Sequence, residues 1–325
     1  MRISVFPKGD LDALAIHHTM TIFEWIDKAR PLNAEGLELY GGMFLRTDDA
    51  FVDDVGAALA DAGFEMPMMC LSPDLVHPDP DTRRREFDRQ VEMMHVARRL
   101  GGPGVSARVL SGQRHPEVGV EEGVDRVVGA IHELLPLARE LEMSLAIENH
   151  YKAPEWAYPE FAQRPEVFLA ILDGVQDRAS FGVQYDPSNA VVAGVDSADF
   201  LDQVVDRVIT MQASDRFLAP GASLESLRQS DGTLGYSPLL QHGVIGRGLN
   251  DYPRIFTALV DAGYDGWISI EDGVNGMEEM AESVEYLREA RDRHFGGSTA
   301  VAVRAQDEAR AASGLPSFAR TPQLG

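Results

Sequence analysis

The chain of 325 residues is 44% hydrophobic and 25% charged, which is typical of a folded globular protein with a sizeable core. Its 52 acidic residues outnumber its 29 basic ones, and the formal net charge of −23 argues against nucleic acid or an anionic membrane as a partner. Cys70 is the single cysteine, so an internal disulfide and a zinc site made of thiolates are excluded.

Neither a secretion signal nor a membrane span is predicted. The first residues, MRISVFPKGD, lack a charged stretch followed by an apolar run. No apolar run reaches the ~18 residues that a membrane-crossing helix needs. The sequence therefore predicts a cytoplasmic protein.

Eight short apolar or β-branched segments recur along the chain and predict β-strands. They lie at residues 2–6, 36–41, 66–72, 105–110, 144–149, 180–186, 208–214 and 266–272. Longer segments with apolar residues three and four apart lie between them and predict helices at 84–100, 121–141, 164–175, 197–206, 250–263 and 276–294. Repeated β-α units predict a single closed (β/α)8 TIM barrel over residues 1–295.

Two long connections and a tail depart from this regular alternation. The segments 150–163 and 216–248 follow the fifth and seventh predicted strands, so both should leave from the carboxyl-terminal face, where barrel enzymes build their sites. Residues 296–325 form a C-terminal extension that we expect to contact a neighbouring subunit or to be partly disordered. No glycine-rich phosphate-binding motif occurs, which removes the main sequence support for a nucleotide-binding fold.

Four polar residues stand at the ends of successive predicted strands: Glu148, Asp186, Gln212 and Glu271. Strands of a barrel are buried on both faces, so a carboxylate inside one is unfavourable unless it is paired or binds a metal. Three carboxylates and an amide oxygen suit Mn²⁺ or Mg²⁺ better than zinc. The alternative is that each acid forms its own salt bridge or caps a helix, as Asp186 can do before Pro187.

His150 is the predicted catalytic base. Residues two apart on a strand share a face, so His150 should point to the same side as Glu148. A neutral histidine beside a bound metal can remove a proton from a carbon next to a carbonyl group. The alternative is that His150 only orients a metal ligand.

The motifs LAIENH, GVQYDPSNA, ITMQASD and GRGLNDYPRIFTALVDAGYDGWISIED resemble, in order and spacing, the xylose-isomerase-like barrel superfamily of sugar isomerases, epimerases and lyases. The resemblance spans residues 2–294 and is strongest from 144 onward. It implies metal ligands Glu, Asp, His and Glu at positions 148, 186, 212 and 271. Gln212 departs from this pattern, which places zinc in doubt.

The segment IENHYKAPEWAYPEFAQ is also similar to the larger subunit of the C-glycoside deglycosidases of this superfamily. That resemblance implies a Mn²⁺-dependent lyase that cleaves the carbon–carbon bond between a 3-oxo-sugar and an aromatic aglycone, with His150 as general base. It further implies a small β-rich second subunit in a hetero-oligomer. Alternatives are a ketose 3-epimerase or sugar isomerase using Glu148 and Glu271, a keto-inositol dehydratase, a metal nuclease and an inactive sugar-binding barrel.

Overall fold

Nine parallel strands form one sheet in the computed structural model, which describes residues 1–229 and 239–296. A separate antiparallel ribbon is formed by β9 and β10. The strands are β1 Arg2–Val5, β2 Gly36–Leu37, β3 Leu39–Tyr40, β4 Met68–Cys70, β5 Ser106–Arg108, β6 Ser144–Glu148, β7 Phe181–Tyr185, β8 Val208–Ala213, β9 Asp215–Leu218, β10 Leu240–Gly243 and β11 Trp267–Ile270.

The sheet closes through its second barrel strand, which is divided into two parts at Glu38. The first part, β2, pairs with β1, and the second part, β3, pairs with β4. The remaining neighbours pair in parallel around the ring, and β11 returns to β1. The predicted (β/α)8 barrel is confirmed, with nine assigned strands at eight barrel positions.

The helices surround this sheet. They are α1 Ile22–Ala29, α2 Asp49–Ala62, α3 Pro80–Gly101, α4 Val120–Glu140, α5 Pro165–Gly174, α6 Pro187–Val192, α7 Ser197–Val204, α8 Leu224–Arg228, α9 Tyr252–Asp261 and α10 Met277–Ala290. All six predicted helical segments correspond to helices, and the structure adds α1, α2, α6 and α8. No helix in the described ranges is long and apolar enough to cross a membrane.

Both predicted long connections leave from the carboxyl-terminal ends of barrel strands. The segment 150–163 packs on the loop after β5, where Gln113 Oε1 accepts hydrogen bonds from the backbone N–H groups of Ala157 and Tyr158 at 2.7 and 3.1 Å. The segment 216–248 contains most of the β9–β10 ribbon and helix α8, so its described residues include regular secondary structure. Its residues 230–238, and the predicted extension from residue 297 onward, lie outside the described residues.

Asp215 holds in place the backbone that leads from β10 to α9, at the end of the second connection. Its buried carboxylate accepts backbone hydrogen bonds from Gly246, Gly248 and Asn250 at 2.9, 2.8 and 3.2 Å. In Asp215→Ala these donors lose their acceptor, so we expect the free energy of unfolding in urea to fall by about 2–4 kcal/mol. The exposed Asp54→Ala is the control and should stay within ~0.5 kcal/mol of wild type. Equal stability of the two variants would contradict this role.

Candidate metal centre and active site

Three of the predicted metal-ligand side chains meet at the carboxyl-terminal mouth of the barrel. Glu148 ends β6, Asp186 follows β7 and caps α6, and Glu271 follows β11. Each offers one oxygen, and the three oxygens lie within 4.8 Å of one another. All three residues are buried. The parallel strands thus bring together carboxylates that are separated by up to 123 positions in the sequence.

Two cations accompany these three carboxylates. Arg108 Nη1 donates to Glu148 Oε2 at 2.5 Å, and Lys8 Nζ donates to Glu271 Oε1 at 2.7 Å. Asp186 accepts hydrogen bonds from Ser214 Oγ and from the backbone N–H of Asn189, both at 3.0 Å. No ion pair with Asp186 occurs among the described residues. With all three acids ionised, the group would hold one more negative charge than positive ones.

The charges of this group shift the pKa values of its members. Burial, followed by the Glu271 and Glu148 carboxylates, raises the pKa of Asp186 well above its usual value. Burial also acts to raise the pKa of Glu271, but the Lys8 ammonium and hydrogen bonds from Asp186 and Lys8 outweigh it and bring this pKa to about 2. Glu271 is thus a carboxylate at neutral pH, whereas Asp186 holds a proton more readily than an isolated carboxyl group, and positive charge placed beside it would favour its ionised form.

In the side-chain amide of Gln212, the fourth predicted ligand, the nitrogen has a hydrogen-bond partner and the oxygen has none among the described residues. Its Nε2 donates to Glu38 Oε2 at 2.8 Å and lies 3.6 Å from Cys70 Sγ. Its buried Oε1 accepts no hydrogen bond from the described residues. Glu38 is itself fully buried, and this burial raises its pKa to about 8. Gln212 thus keeps a buried oxygen acceptor available.

These residues fit a divalent cation. The donors are hard oxygens, as Mn²⁺ and Mg²⁺ prefer, and the excess negative charge would be neutralised by the ion. Glu148, Asp186 and Glu271 would hold it, whereas the contacts of the Gln212 side chain in the described residues are with Glu38 and Cys70. Lys8 and Arg108 already bind two of the carboxylates, so they would have to share these side chains with the metal.

His150 lies at the start of the connection after β6 and is buried. Its Nδ1 is 3.3 Å from Glu160 Oε2, and its ring packs edge-on against Trp156. Burial lowers the pKa of His150 to about 4, although the nearby Glu148 carboxylate acts in the opposite direction. The imidazole is therefore neutral at pH 7 and can accept a proton.

Glu160 holds His150 in place, and we did not predict it from the sequence. Its Oε1 accepts hydrogen bonds from the backbone N–H and the Oγ of Ser111 at 2.8 and 2.5 Å. Burial raises the pKa of Glu160 to about 8. Above this pKa Glu160 is a carboxylate, and a hydrogen on His150 Nδ1 that donates to it leaves the lone pair of Nε2 free for chemistry. Below it, a proton on Glu160 Oε2 can instead donate to Nδ1, which places the imidazole hydrogen on Nε2.

A second group of possible metal ligands, Asp74, His77 and His115, lies after β4 and β5. Asp74 accepts hydrogen bonds from the backbone N–H and the Nε2 of Gln113, both at 3.0 Å, and contacts His115 Nε2 at 2.8 Å. Gly112 permits this contact, because a Cβ there would lie 2.4 Å from Asp74 Oδ1. Asp74 thus positions Gln113, which in turn fixes the 150–163 segment.

Lys8, Arg108, Glu38 and Glu160 are site residues that our reading of the sequence missed. Arg108 and Glu38 lie inside predicted strands, so the burial argument applied to the carboxylates would have found them. Glu160 lies in the apolar stretch WAYPEFA, a weaker signal of the same kind. Lys8 follows the first strand in a polar segment and carries no such signal.

Solved structures of low sequence identity share this fold. A D-tagatose 3-epimerase-like protein has a TM-score of 0.68 and 16% identity, covering 91% of this chain and 99% of its own. The IolI protein with a bound zinc atom has a TM-score of 0.66 and 14% identity, covering 92% of this chain and 99% of its own. The 3-keto-D-glucoside 4-epimerase YcjR from E. coli has a TM-score of 0.61 and 13% identity, covering 90% of this chain and 99% of its own. No curated protein matches the sequence.

The family comparison agrees with the geometry of the barrel. The model of the xylose isomerase-like TIM barrel family matches residues 26–290, from α1 to the end of α10. This match covers most of the chain and includes all four predicted ligands and His150. The fold is that of sugar epimerases and isomerases, and the superfamily resemblance predicted from the sequence is confirmed. The chain belongs to the xylose isomerase-like TIM barrel family.

Proposed function

We propose that this chain is a Mn²⁺-dependent lyase that cleaves the carbon–carbon glycosidic bond of 3-oxo-C-glycosides and releases an aromatic aglycone. One observation carries the proposal: a neutral histidine, oriented by a buried acid, stands next to a group of buried carboxylates. This combination suits removal of a proton from a carbon next to a carbonyl group. The fold is compatible with such a sugar, since YcjR is by its name an epimerase of a 3-keto-glucoside.

In the proposed reaction, His150 Nε2 takes the proton from C2 of the sugar, which the C3 carbonyl group makes acidic. The electron pair of the C2–H bond then forms the C1–C2 double bond, and the bond from C1 to the aglycone breaks. The aglycone carbon takes up a proton, which the His150 imidazolium can return. The products are an unsaturated 3-oxo-sugar and the free aglycone, so that His150 ends the cycle neutral.

Other residues of the chain assist this proton transfer. Glu160 contacts the imidazole and, when ionised, stabilises its charged form, while Trp156 packs on the ring and limits access of water. A divalent cation, when bound, supplies a Lewis acid for the oxygen of the carbonyl group. Glu148, Asp186, Gln212 and Glu271 are the residues proposed to hold it.

The arrangement favours elimination over epimerisation. An epimerase of the kind considered above needs Glu148 and Glu271 to exchange protons on opposite faces of the sugar. Here Arg108 and Lys8 pair with these two carboxylates, which occupies the oxygens that would have to accept the protons. His150 is the better-placed base, and elimination requires only one.

Incubation of the Mn²⁺-loaded protein with a 3-oxo-C-glucoside, and separately with free ketoses, tests the proposal. Release of the aglycone together with an unsaturated 3-oxo-sugar is the expected result. Reaction of ketoses alone would instead identify an epimerase or isomerase and overturn the lyase proposal. The proposal also includes a small β-rich second subunit, and co-purification from the native cells tests whether the chain binds one.

Glu160 provides a separate test of how His150 is held. In Glu160→Gln the side-chain amide can donate to Nδ1, which places the imidazole hydrogen on Nε2 and blocks it as a base. We expect kcat for elimination to fall by about 10²- to 10⁴-fold while KM and bound metal stay close to wild type. Glu166→Gln, an exposed change in the first turn of α5, is the control.

If Glu160 acts through His150, wild-type kcat should rise with pH as Glu160 ionises near its pKa of about 8, and this rise should be absent in Glu160→Gln. Glu160→Asp keeps the carboxylate and should recover part of the lost kcat, whereas a residue needed only for folding would show no such difference between the two variants. A Glu160→Gln enzyme with wild-type kcat and an unchanged pH profile would remove Glu160 from the mechanism.

A further inference from the structure

Arg108, one of the two cations beside the three carboxylates, is fixed from several sides. It is the last residue of β5, and its Nη1 donates to Glu148 Oε2 at 2.5 Å. The same guanidinium donates to the backbone oxygen of Leu71 at 3.1 Å and to Ser72 Oγ at 3.2 Å. Its side chain is only 4% exposed. Arg108 therefore cannot leave Glu148 without breaking other contacts inside the barrel.

Lys8, the second cation, reaches the carboxylates from the chain that follows β1. It begins the short 3-10 turn Lys8–Asp10 and donates from Nζ to Glu271 Oε1 at 2.7 Å. Its side chain is 12% exposed, three times the fraction of Arg108. Because lysine carries its charge at the end of a flexible four-carbon stem, the ammonium can move while the backbone stays in place.

The backbone of the turn that carries Lys8 is held against the loop after β11. Gly9 packs directly on Gly273, since a Cβ on Gly9 would lie 2.4 Å from the backbone oxygen of Gly273. The backbone N–H of Lys8 also donates to the backbone oxygen of Phe6 at 2.8 Å. Movement of the ammonium away from Glu271 is therefore a change of side-chain conformation, and the turn need not move.

The net charge of the group indicates what happens when a divalent cation enters. Three ionised carboxylates and two cations leave one negative charge, which a divalent cation would convert into one positive charge. Unbalanced charge in a buried group is unfavourable. Departure of one of the two side-chain cations would make the group neutral. The contacts described above favour Lys8 as the one that departs.

We infer that Lys8 competes with the metal. It gives up Glu271 when a divalent cation binds, and it thereby sets the concentration of cation at which the site fills. Arg108 stays on Glu148 in both states. The inference rests on the metal site of the proposed function and adds its regulation, and it does not depend on which reaction follows.

Isothermal titration of the full-length, chelator-treated protein with MnCl2 tests the competition. Lys8→Met removes the charge and keeps an unbranched side chain, so it should bind Mn²⁺ about 10- to 100-fold more tightly than wild type. Lys8→Arg keeps the charge and should stay much closer to wild type. Lys28→Met is the matched control, because Lys28 forms its ion pair with Asp10 at 2.8 Å and should not affect the affinity. The binding event that is counted is the one that Asp186→Asn weakens.

Thermal unfolding shows the same competition without any turnover. In chelator, Lys8→Met should melt at a lower temperature than wild type, because Glu271 has lost its counter-charge. Saturating Mn²⁺ should then raise the melting temperature of Lys8→Met by more than that of wild type. A cooperative transition in chelator also shows that the variant is folded.

Chemical modification follows the ammonium itself. Reductive methylation of the wild-type protein by formaldehyde and cyanoborohydride, measured by peptide mass spectrometry, reports how accessible each lysine is. Lys8 should react faster in Mn²⁺ than in chelator, because its ammonium no longer binds Glu271. Lys28 should react at the same rate in both conditions.

Three results would overturn the inference. Mn²⁺ that binds Lys8→Met no more tightly than wild type would make Lys8 a partner that supports Glu271 as a ligand. Methylation of Lys8 at equal rates with and without Mn²⁺ would show that the ammonium stays in place. Mn²⁺ that binds none of the variants would reject the metal site itself. Tighter binding by Lys8→Met, without elimination from any 3-oxo-C-glycoside, would instead support the competition and reject the lyase.

Discussion

His150→Ala is expected to lower turnover of a 3-oxo-C-glycoside by about 10²- to 10⁴-fold, the usual contribution of a positioned general base. The neutral imidazole is the best-placed proton acceptor near the carboxylates, and its pKa of about 4 keeps it in the basic form throughout pH 5 to 8. Metal content should not change, because none of the proposed ligands is altered. Steady-state kinetics together with metal analysis of the purified variant measure both quantities.

The matched control for this experiment is His132→Ala. His132 is an exposed histidine on α4 that contacts the backbone oxygen of Gly174, away from the mouth of the barrel. The His132→Ala enzyme should retain wild-type turnover. A His150→Ala enzyme that is as active as the control would remove His150 from the reaction.

Asp186→Asn is expected to change metal affinity and stability in opposite directions. Loss of a charged ligand should weaken metal binding by more than the ~10- to 100-fold that is typical when a partner of a ligand is removed. In chelator, however, the free energy of unfolding in urea at pH 8 should rise, because asparagine removes a buried group whose ionisation is opposed by burial and by the neighbouring carboxylates.

The sign follows from the direction of the pKa shift. The folded-state pKa of Asp186 is raised, so its favourable contribution is complete below the unfolded-state pKa and is lost as pH rises toward the folded-state value. Asparagine does not ionise and keeps an oxygen to cap α6. The control is Asp196→Asn, which alters the exposed N-cap of α7 and should change neither metal binding nor this pH dependence. If the metal-free Asp186→Asn protein were less stable than wild type at pH 8, repulsion among the three carboxylates would not be what raises the pKa of Asp186.

The barrel could be predicted from the sequence because its strands are short, apolar and regularly spaced. Every residue of β7 is buried, as expected for a parallel strand that is covered on both faces. The division of the second strand at Glu38 was not predicted, and neither was the hydrogen bond that Gln212, 174 positions away in the sequence, donates to the buried Glu38. Helix α6 was missed because it has only six residues and little periodicity to detect.

The site was predictable where burial alone makes a residue conspicuous. Glu148, Asp186 and Glu271 stand out as acids at strand ends, and the structure brings them together. The pairing of Lys8 with Glu271 joins residues 263 positions apart, and nothing local to either residue signals it. The partner of His150 was equally hidden, since contact with Glu160 depends on how the intervening loop folds back.

That loop has a consequence for how barrels of this kind can change. Residues 150–163 carry both the proposed base, His150, and the acid that contacts it, Glu160. Hydrogen bonds with Ser111, Gly112 and Gln113 join this segment to the loop after β5, whereas the residues proposed to hold a metal lie on the barrel strands or directly after them. Exchange of this one segment between related barrels would therefore replace the proposed base and its partner together, while the residues proposed to hold the metal stay the same.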